Sequence, residues 1–452
     1  MADLDIGPIH GTRRSVSEDN KLRTEDYAAH DWYRFVLSFP PHLVRDYIEK
    51  FGVDSTQCVL DPFCGTGTTV VESKKLGIPS IGIEAHPMAC FASQVKADWD
   101  VDADGLLRHA TKIVALASDE LEAEGVEDAE MPLFHGASKT TPKLRTLSPD
   151  TSKLLLKNSI SPLPLHKTLA LLETIDERKD DRFWRHERLA LAKALVFEIS
   201  NLSFGPEVGV GPVKRDVSVL GSWLRGVRAM ADDIRKLQNG NNSTVAVVHQ
   251  ADSRTLHTVL APKSVDAVIT SPPYPNEKDY TRTTRLESVL LGLIRNKHEL
   301  RLLKQAMVRS NTRGVYVADR DDLLVANHGK IKRIAEAIEK RRIELGKTSG
   351  FERLYARVTK LYFGGMVRHL SNLRPILRPG ARLAYVVGDQ ASYLRVMIRT
   401  GHLLADIAES LGYKVVGIDL FRTRLATATK EQLREEVVLL RWPGTARKAY
   451  AS

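Results

Sequence analysis

Hydrophobic spacing along the chain alternates between strand-like and helix-like stretches. Residues 1–25 show neither period and read as a flexible tail. After Pro40 and Pro41 the apolar positions Leu43, Val44, Tyr47, Ile48 and Phe51 keep helical spacing. Cys58–Ala85 reads as strand, Gly-rich turn, helix, Gly stop at Gly77 and second strand, a βαβ unit with buried parallel strands. Between 101 and 240 long helical patterns dominate (Gly105–Glu124, His166–Glu173, His186–Leu202, Val219–Leu237), broken by polar turns and a Gly-rich stretch, Phe204–Asp216. Strand–helix alternation resumes at Thr244–Asp252 and Ser264–Tyr274. A mostly helical segment, 295–360, interrupts it. It returns with Arg382–Asp389, a helix around His402–Leu411, and the strands Tyr413–Phe421 and Glu435–Trp442. This pattern predicts one α/β core, doubly wound and mostly parallel, built from 26–100, 241–294 and 361–452 with helical insertions at 101–240 and 295–360.

Composition narrows the function classes. The 452 residues are 43% apolar and 27% charged, an ordinary globular balance. No apolar run approaches the ~20 residues of a membrane span, and the N-terminus carries no apolar signal region, so a cytoplasmic protein is expected. Cys58, Cys64 and Cys90 are too few for a disulfide framework and lack metal-site spacing, so no metal is expected; all three read as packing residues. The net charge is +10, and 295–360 alone holds 17 Lys/Arg against 8 Asp/Glu. Such concentration fits a polyanion contact or, equally, a solvated helical face.

Two short stretches carry candidate chemistry. In VLDPFCGTGTT an apolar strand ends in Asp61, and Gly65 and Gly67 let the backbone approach a ligand before Thr68 opens a helix. The next strand, SIGIE, ends in Glu84, placed to accept ribose hydroxyls. Val70 occupies the third glycine position of a dinucleotide fingerprint, and no Gly-Lys-Ser/Thr follows, so neither NAD nor ATP fits best. A carboxylate at Asp61 can instead hold an ammonium group, which S-adenosylmethionine has. About 200 positions later, Ser271, Pro272, Pro273 and Tyr274 follow the strand AVIT. The prolines fix φ and leave carbonyls free to accept, which suits an exocyclic nucleobase amine. Tyr274 offers a stacking face. Taken alone, this stretch reads better as a proline turn capping a strand. Asp252, ending HQAD, could bond an adenine amine or cap an ordinary turn.

Together, DPFCGTGTT, SIGIE, HQADSR and TSPPY resemble the amino-methyltransferase family of DNA modification enzymes. HDWYRFVLSFPPHLV, NEKDYTRTTRLESVLLG and LRPGARLAYVVGD resemble the same family. The resemblance covers roughly 26–98, 244–294 and 361–442. It implies a Rossmann-like methyltransferase sheet and methyl transfer from S-adenosylmethionine to cytosine N4 or adenine N6 in double-stranded DNA. By position, Asp61, Phe63, Gly65, Gly67 and Thr68 would surround the methionine part, Glu84 the ribose and Asp252 the adenine. Ser271, Pro272, Pro273 and Tyr274 would form the catalytic loop. Serine at the loop's first position is typical of cytosine-N4 members. The chain departs from the commonest family pattern by placing the cofactor half before the catalytic half and by the long insertion between Glu84 and Asp252. The target-recognition region is therefore open between 101–240 and 295–360, with phosphate contact favoured in the second. The expectation is a site-specific cytosine-N4 methyltransferase, with a cognate restriction nuclease as a candidate partner. The alternatives are adenine-N6 transfer, an RNA amino-methyltransferase and a non-catalytic DNA-binding protein of this fold.

Overall fold

The computed structural model describes residues 21–34, 39–128, 142–204, 207–240, 243–276, 278–425 and 432–445. The expected tail falls mostly outside these residues, as does Phe35–Ser38 of the HDWYRFVLS stretch.

Nine strands are present among the described residues: β1 (Val59–Asp61), β2 (Ser80–Glu84), β3 (Leu202–Phe204), β4 (Val208–Val210), β5 (Ala246–Gln250), β6 (Val265–Thr270), β7 (Leu377–Gly388), β8 (Lys414–Leu425) and β9 (Gln432–Arg441). Seven form one sheet in the order β5-β2-β1-β6-β7-β9-β8. β5, β2, β1, β6 and β7 are parallel, and β9 runs antiparallel to both β7 and β8. The chain winds outward from β1 through β2 to β5, then returns to β6 and winds the other way. The reversal lies between β1 and β6, and in such sheets ligands bind outside the carboxyl ends of the strands at that point. The doubly wound, mostly parallel sheet expected from the sequence is thus observed.

Strand periodicity explains the layers. Ala384 and Val386 of β7, with Val437 and Leu439 of β9, face the helix Pro41–Phe51. The alternate residues Leu383, Tyr385, Val438 and Leu440 face the helices Tyr355–Leu373 and Thr400–Ser410. Both faces are covered, so these strands are apolar nearly throughout. Pro41 starts its helix at the first helical position, and Gly52 ends it at φ +56°.

Helices Ala103–Ala123, Pro162–Glu177, Trp184–Ala194 and Val219–Gln238 of the first insertion share a hydrophobic cluster with Met88, Ala92 and Val95 of the crossover helix Pro87–Lys96. The insertion is therefore packed onto the core. Its Gly-rich stretch forms the hairpin β3–β4, which helical periodicity did not reveal. The expected boundary at 360 falls inside the helix Tyr355–Leu373. That helix begins in the basic segment and ends as the crossover into β7, because its apolar stripe (Val358, Tyr362, Met366, Leu370, Leu373) is buried throughout. In the helix Gly329–Glu344 only Ile331, Ala335 and Ile338 are buried, and Lys332, Arg333, Lys340 and Arg341 face water.

Candidate active site

At the carboxyl ends of β1 and β6 lies a cavity of about 460 Å³. Pro62 to Thr66 and Thr68 of the glycine loop form one wall with Glu84. Ser271, Pro272, Pro273 and Tyr274 form another. The two distant stretches therefore share one cleft. Two hydrogen bonds fix their relative position. Thr270 Oγ1, ending β6, donates to Asp61 Oδ1 at 2.6 Å, and Thr69 Oγ1 donates to the Ile269 carbonyl at 3.1 Å.

The glycine loop is tight because two of its residues are left-handed, Gly65 at φ +51° and Gly67 at +89°. A Cβ on Gly67 would also lie 2.4 Å from Ser93 Oγ. Gly67 thus serves the turn and the packing behind it, and does not reach the cavity wall. Phe63 projects into the cavity and packs edge-on against His369, with ring centroids 4.8 Å apart.

Asp61 lies one layer behind the wall and is fully buried. Burial lifts its pKa to about 6, against the opposing hydrogen bonds from Thr270 and the Phe63 N–H. Its Oδ2 has no hydrogen-bond partner among the described residues. A buried orphan acceptor of this kind is costly unless a ligand or water satisfies it. Glu84 does line the cavity. Its carboxylate accepts the Gly65 N–H at 2.9 Å and the His86 N–H at 2.7 Å. Burial nevertheless raises its pKa to about 7, with the Asp61 charge adding to the shift. Asp252 is placed differently from the other predicted residues. Both its oxygens bond the Arg254 guanidinium, and it is the neighbouring Ser253 that reaches the cavity.

In the second wall, Ser271 Oγ donates to the Val386 carbonyl at 3.2 Å. Its hydrogen is thereby committed to β7, and its lone pairs remain as acceptors. Tyr274 packs against Gly388, where any Cβ would come 2.9 Å from the ring. Burial pushes its phenol pKa upward, so the phenol stays neutral.

Several cavity residues carried no readable signal in the sequence. His86 caps the helix Pro87–Lys96 by accepting the Met88 N–H at Nδ1, 3.2 Å, and its Nε2 meets Thr284 Oγ1 at 3.0 Å. Desolvation lowers its pKa to about 4, so it is neutral at pH 7. Because Thr284 already donates to the Tyr280 carbonyl, the proton of His86 sits on Nε2. Phe421, Arg422 and Glu435 reach the cavity from β8 and β9, and Glu207 from the β3–β4 connection. The sheet order brings the first three there, and the folding of the insertion onto the core brings Glu207. Among the described residues no group of His, Cys, Asp and Glu could hold a metal ion, and no helix is long and apolar enough to cross a membrane.

Comparison with known proteins gives a consistent result. An N6/N4 DNA methylase family model matches residues 9–94. The Type II methyltransferase M.BsoBI of Geobacillus stearothermophilus is 26% identical over 96% of this chain and 89% of its own length. The Type II methyltransferase M.AvaI of Nostoc sp. is 24% identical over 91% of this chain and 86% of its own. Among solved structures, TrmN from Thermus thermophilus aligns with 89% of this chain and 48% of that one, at 12% identity and a TM-score of 0.25, too low to bear on the site.

Proposed function

We propose that this chain, which belongs to the amino-methyltransferase family, transfers a methyl group from S-adenosylmethionine to the exocyclic N4 of cytosine in a specific duplex DNA sequence. One observation carries the reading: the glycine loop and the Ser271–Tyr274 loop line the same cavity.

The residues present fit the cofactor. It bears an ammonium, a sulfonium and a ribose diol. Asp61, one layer behind the wall with an orphaned Oδ2, would favour the positive end through its charge. Glu84, held by two backbone amides, keeps acceptor capacity for the ribose hydroxyls. Pro62–Gly65 and Thr68 would cradle the methionine part, with Phe63 as an apolar floor. Asp252 would reach the adenine only by releasing Arg254, so the neighbouring Ser253 is the better-placed contact.

When bound, S-adenosylmethionine supplies a sulfonium methyl already activated for displacement. The protein's own work is positioning. An aromatic amine is a poor nucleophile because its lone pair is delocalised into the ring. Ser271 Oγ, oriented by Val386, and the Pro272 carbonyl would accept its two hydrogens and draw the nitrogen toward tetrahedral geometry. Tyr274, braced by Gly388, would stack on the base once it leaves the helix. The amine hydrogen stays bonded to its acceptor until water takes the proton. The exposed cations of Gly329–Glu344 would contact phosphates. The Type II names of the relatives make a cognate restriction nuclease a natural partner, and three free thiols suit a reducing cytoplasm.

The test is expression in a methylation-free host, with modified sites mapped by sequencing and identified by nucleoside analysis. N4-methylcytosine is expected, and N6-methyladenine would establish the alternative specificity. Ser271→Ala and Tyr274→Ala should retain cofactor binding and lose transfer. Full activity in both would refute the assigned loop.

A further inference from the structure

Three strands meet the catalytic loop in register. Gly388 of β7 pairs with Glu435 of β9, and Glu435 pairs with Arg422 of β8. Tyr274 lies on the first of these positions. Glu435 and Arg422 therefore follow at successive strand spacings of ~4.8 Å. Arg422 Nε donates to Glu435 Oε2 at 2.5 Å. Both side chains line the cavity, and so does Phe421.

Consecutive residues of a regular strand point to opposite faces, so Phe421 and Arg422 should not share a cavity. They do because β8 bulges there. Leu420 pairs with Glu436 and Arg422 with Glu435, leaving Phe421 as the extra residue. Such bulges re-aim side chains beside active sites. The result is a cationic fork, oriented by a carboxylate, next to the ring on which the base would stack.

Resting on the cytosine-N4 reading above, we infer that Arg422 selects cytosine by donating to its N3 and O2 edge, with Glu435 positioning the guanidinium. Beside its amine, cytosine presents two adjacent acceptors, N3 and O2. Adenine presents one, N1, followed by a C–H. The amine is satisfied by the acceptors of the Ser271–Pro272 wall, so the remaining edge calls for donors. A guanidinium supplies donors in a planar fork and never loses its charge. A site that offers two such donors rejects a base with only one matching acceptor, because a bond made to the correct base is lost. Phe421 closes the pocket as an apolar wall.

The test uses duplexes carrying either cytosine or 3-deazacytosine, which lacks N3, at the mapped target position. Wild type should lose about 100-fold in kcat/KM when N3 is removed. Arg422→Met should lose about 100-fold on cytosine and no more than a few-fold further on 3-deazacytosine, with cofactor affinity by calorimetry unchanged. Arg422→Lys, which keeps the charge near Glu435, should fall between. The inference is overturned if Arg422→Met stays within threefold of wild type on cytosine, or if removing N3 costs the variant as much as it costs wild type. Wild type alone decides the matter should the variant not fold, since indifference to N3 removal also overturns it. A wild-type product of N6-methyladenine removes the underlying reading instead. N4-methylcytosine with an indifferent Arg422 leaves that reading standing and removes only this inference.

Discussion

The ribose-binding role proposed for Glu84 predicts a pH dependence that can be worked out in advance. Its carboxyl titrates at about 7 in the unliganded protein, raised from an ordinary 4.5, with burial as the main cause. An acceptor for ribose hydroxyls works best ionised. If only the ionised form binds, the apparent dissociation constant scales as one plus the ratio of protonated to ionised Glu84. Between pH 7.5 and pH 6 that factor rises about eightfold, or ~1.2 kcal/mol. Glu84 alone should contribute the release of about 0.9 proton at pH 6 and about half a proton at pH 7, seen as the difference between wild type and Glu84→Gln. Calorimetry in buffers of different ionisation enthalpy measures both quantities. Glu84→Gln keeps one acceptor and the shape, so it should bind more weakly and lose the part of the acidic limb that Glu84 supplies, leaving only that of Asp61 near pH 6. The cofactor's own amine, with a pKa of about 7.7–8.0, titrates equally in both proteins and cancels in the comparison. An affinity flat from pH 6 to 7.5, with no proton released, would refute the role given to Glu84. The same shift bears on stability with the opposite sign. A carboxyl whose folded pKa is raised stabilises the fold below its unfolded pKa, and that contribution is lost as pH rises through about 7. The full difference is about 3 kcal/mol, of which about 1 kcal/mol falls between pH 6.5 and 8. That upper window is the one to measure. His30 and His86, both depressed to about 4 by desolvation, lose their contributions only as pH falls below about 6.5.

Other substitutions probe the remaining parts. Gly388→Ala places a Cβ 2.9 Å from the Tyr274 ring, so methyl transfer should fall at least tenfold while circular dichroism and cofactor affinity stay near wild type; undiminished transfer would show that the ring's seat is immaterial. Thr270→Val removes the 2.6 Å bond to buried Asp61 and should lower unfolding free energy by about 1–3 kcal/mol in urea titrations, and an unchanged midpoint would contradict that tie. Replacing the exposed Lys332, Arg333, Lys340 and Arg341 by Gln should weaken binding to all duplexes alike and flatten the salt dependence by roughly one unit for each phosphate no longer neutralised, as read by anisotropy; an unchanged slope would assign these charges to solvent.

Much of the core is legible in the amino-acid sequence. Strand periodicity points to the doubly wound sheet because both faces of β6, β7 and β9 are buried, which leaves near-continuous apolar runs. The glycine loop is legible because Gly65 and Gly67 adopt left-handed φ, a conformation other residues rarely take. The Ser271–Tyr274 loop is legible because two prolines at a strand end are rare and rigid. Asp61 and Asp252 are harder to place, since a carboxylate at a strand end reads the same whether it faces a ligand, a buried threonine or an arginine. The hairpin β3–β4 is hidden in a stretch too short and glycine-rich to show a period.

What the sequence determined by itself is local: which segments become strands or helices, and which turns demand glycine or proline. Those choices follow from φ, ψ and from the burial of one stripe or two faces, interactions spanning a few neighbouring residues. Tertiary structure alone decided that residues 62–66 and 271–274 share a cleft, that Asp61 keeps an orphaned oxygen, and that Gly388, Glu435 and Arg422 stand in one row. Such relations depend on strand order, register and a single bulge. A register shift of one residue would turn Arg422 away from the cavity without altering any local preference in the chain.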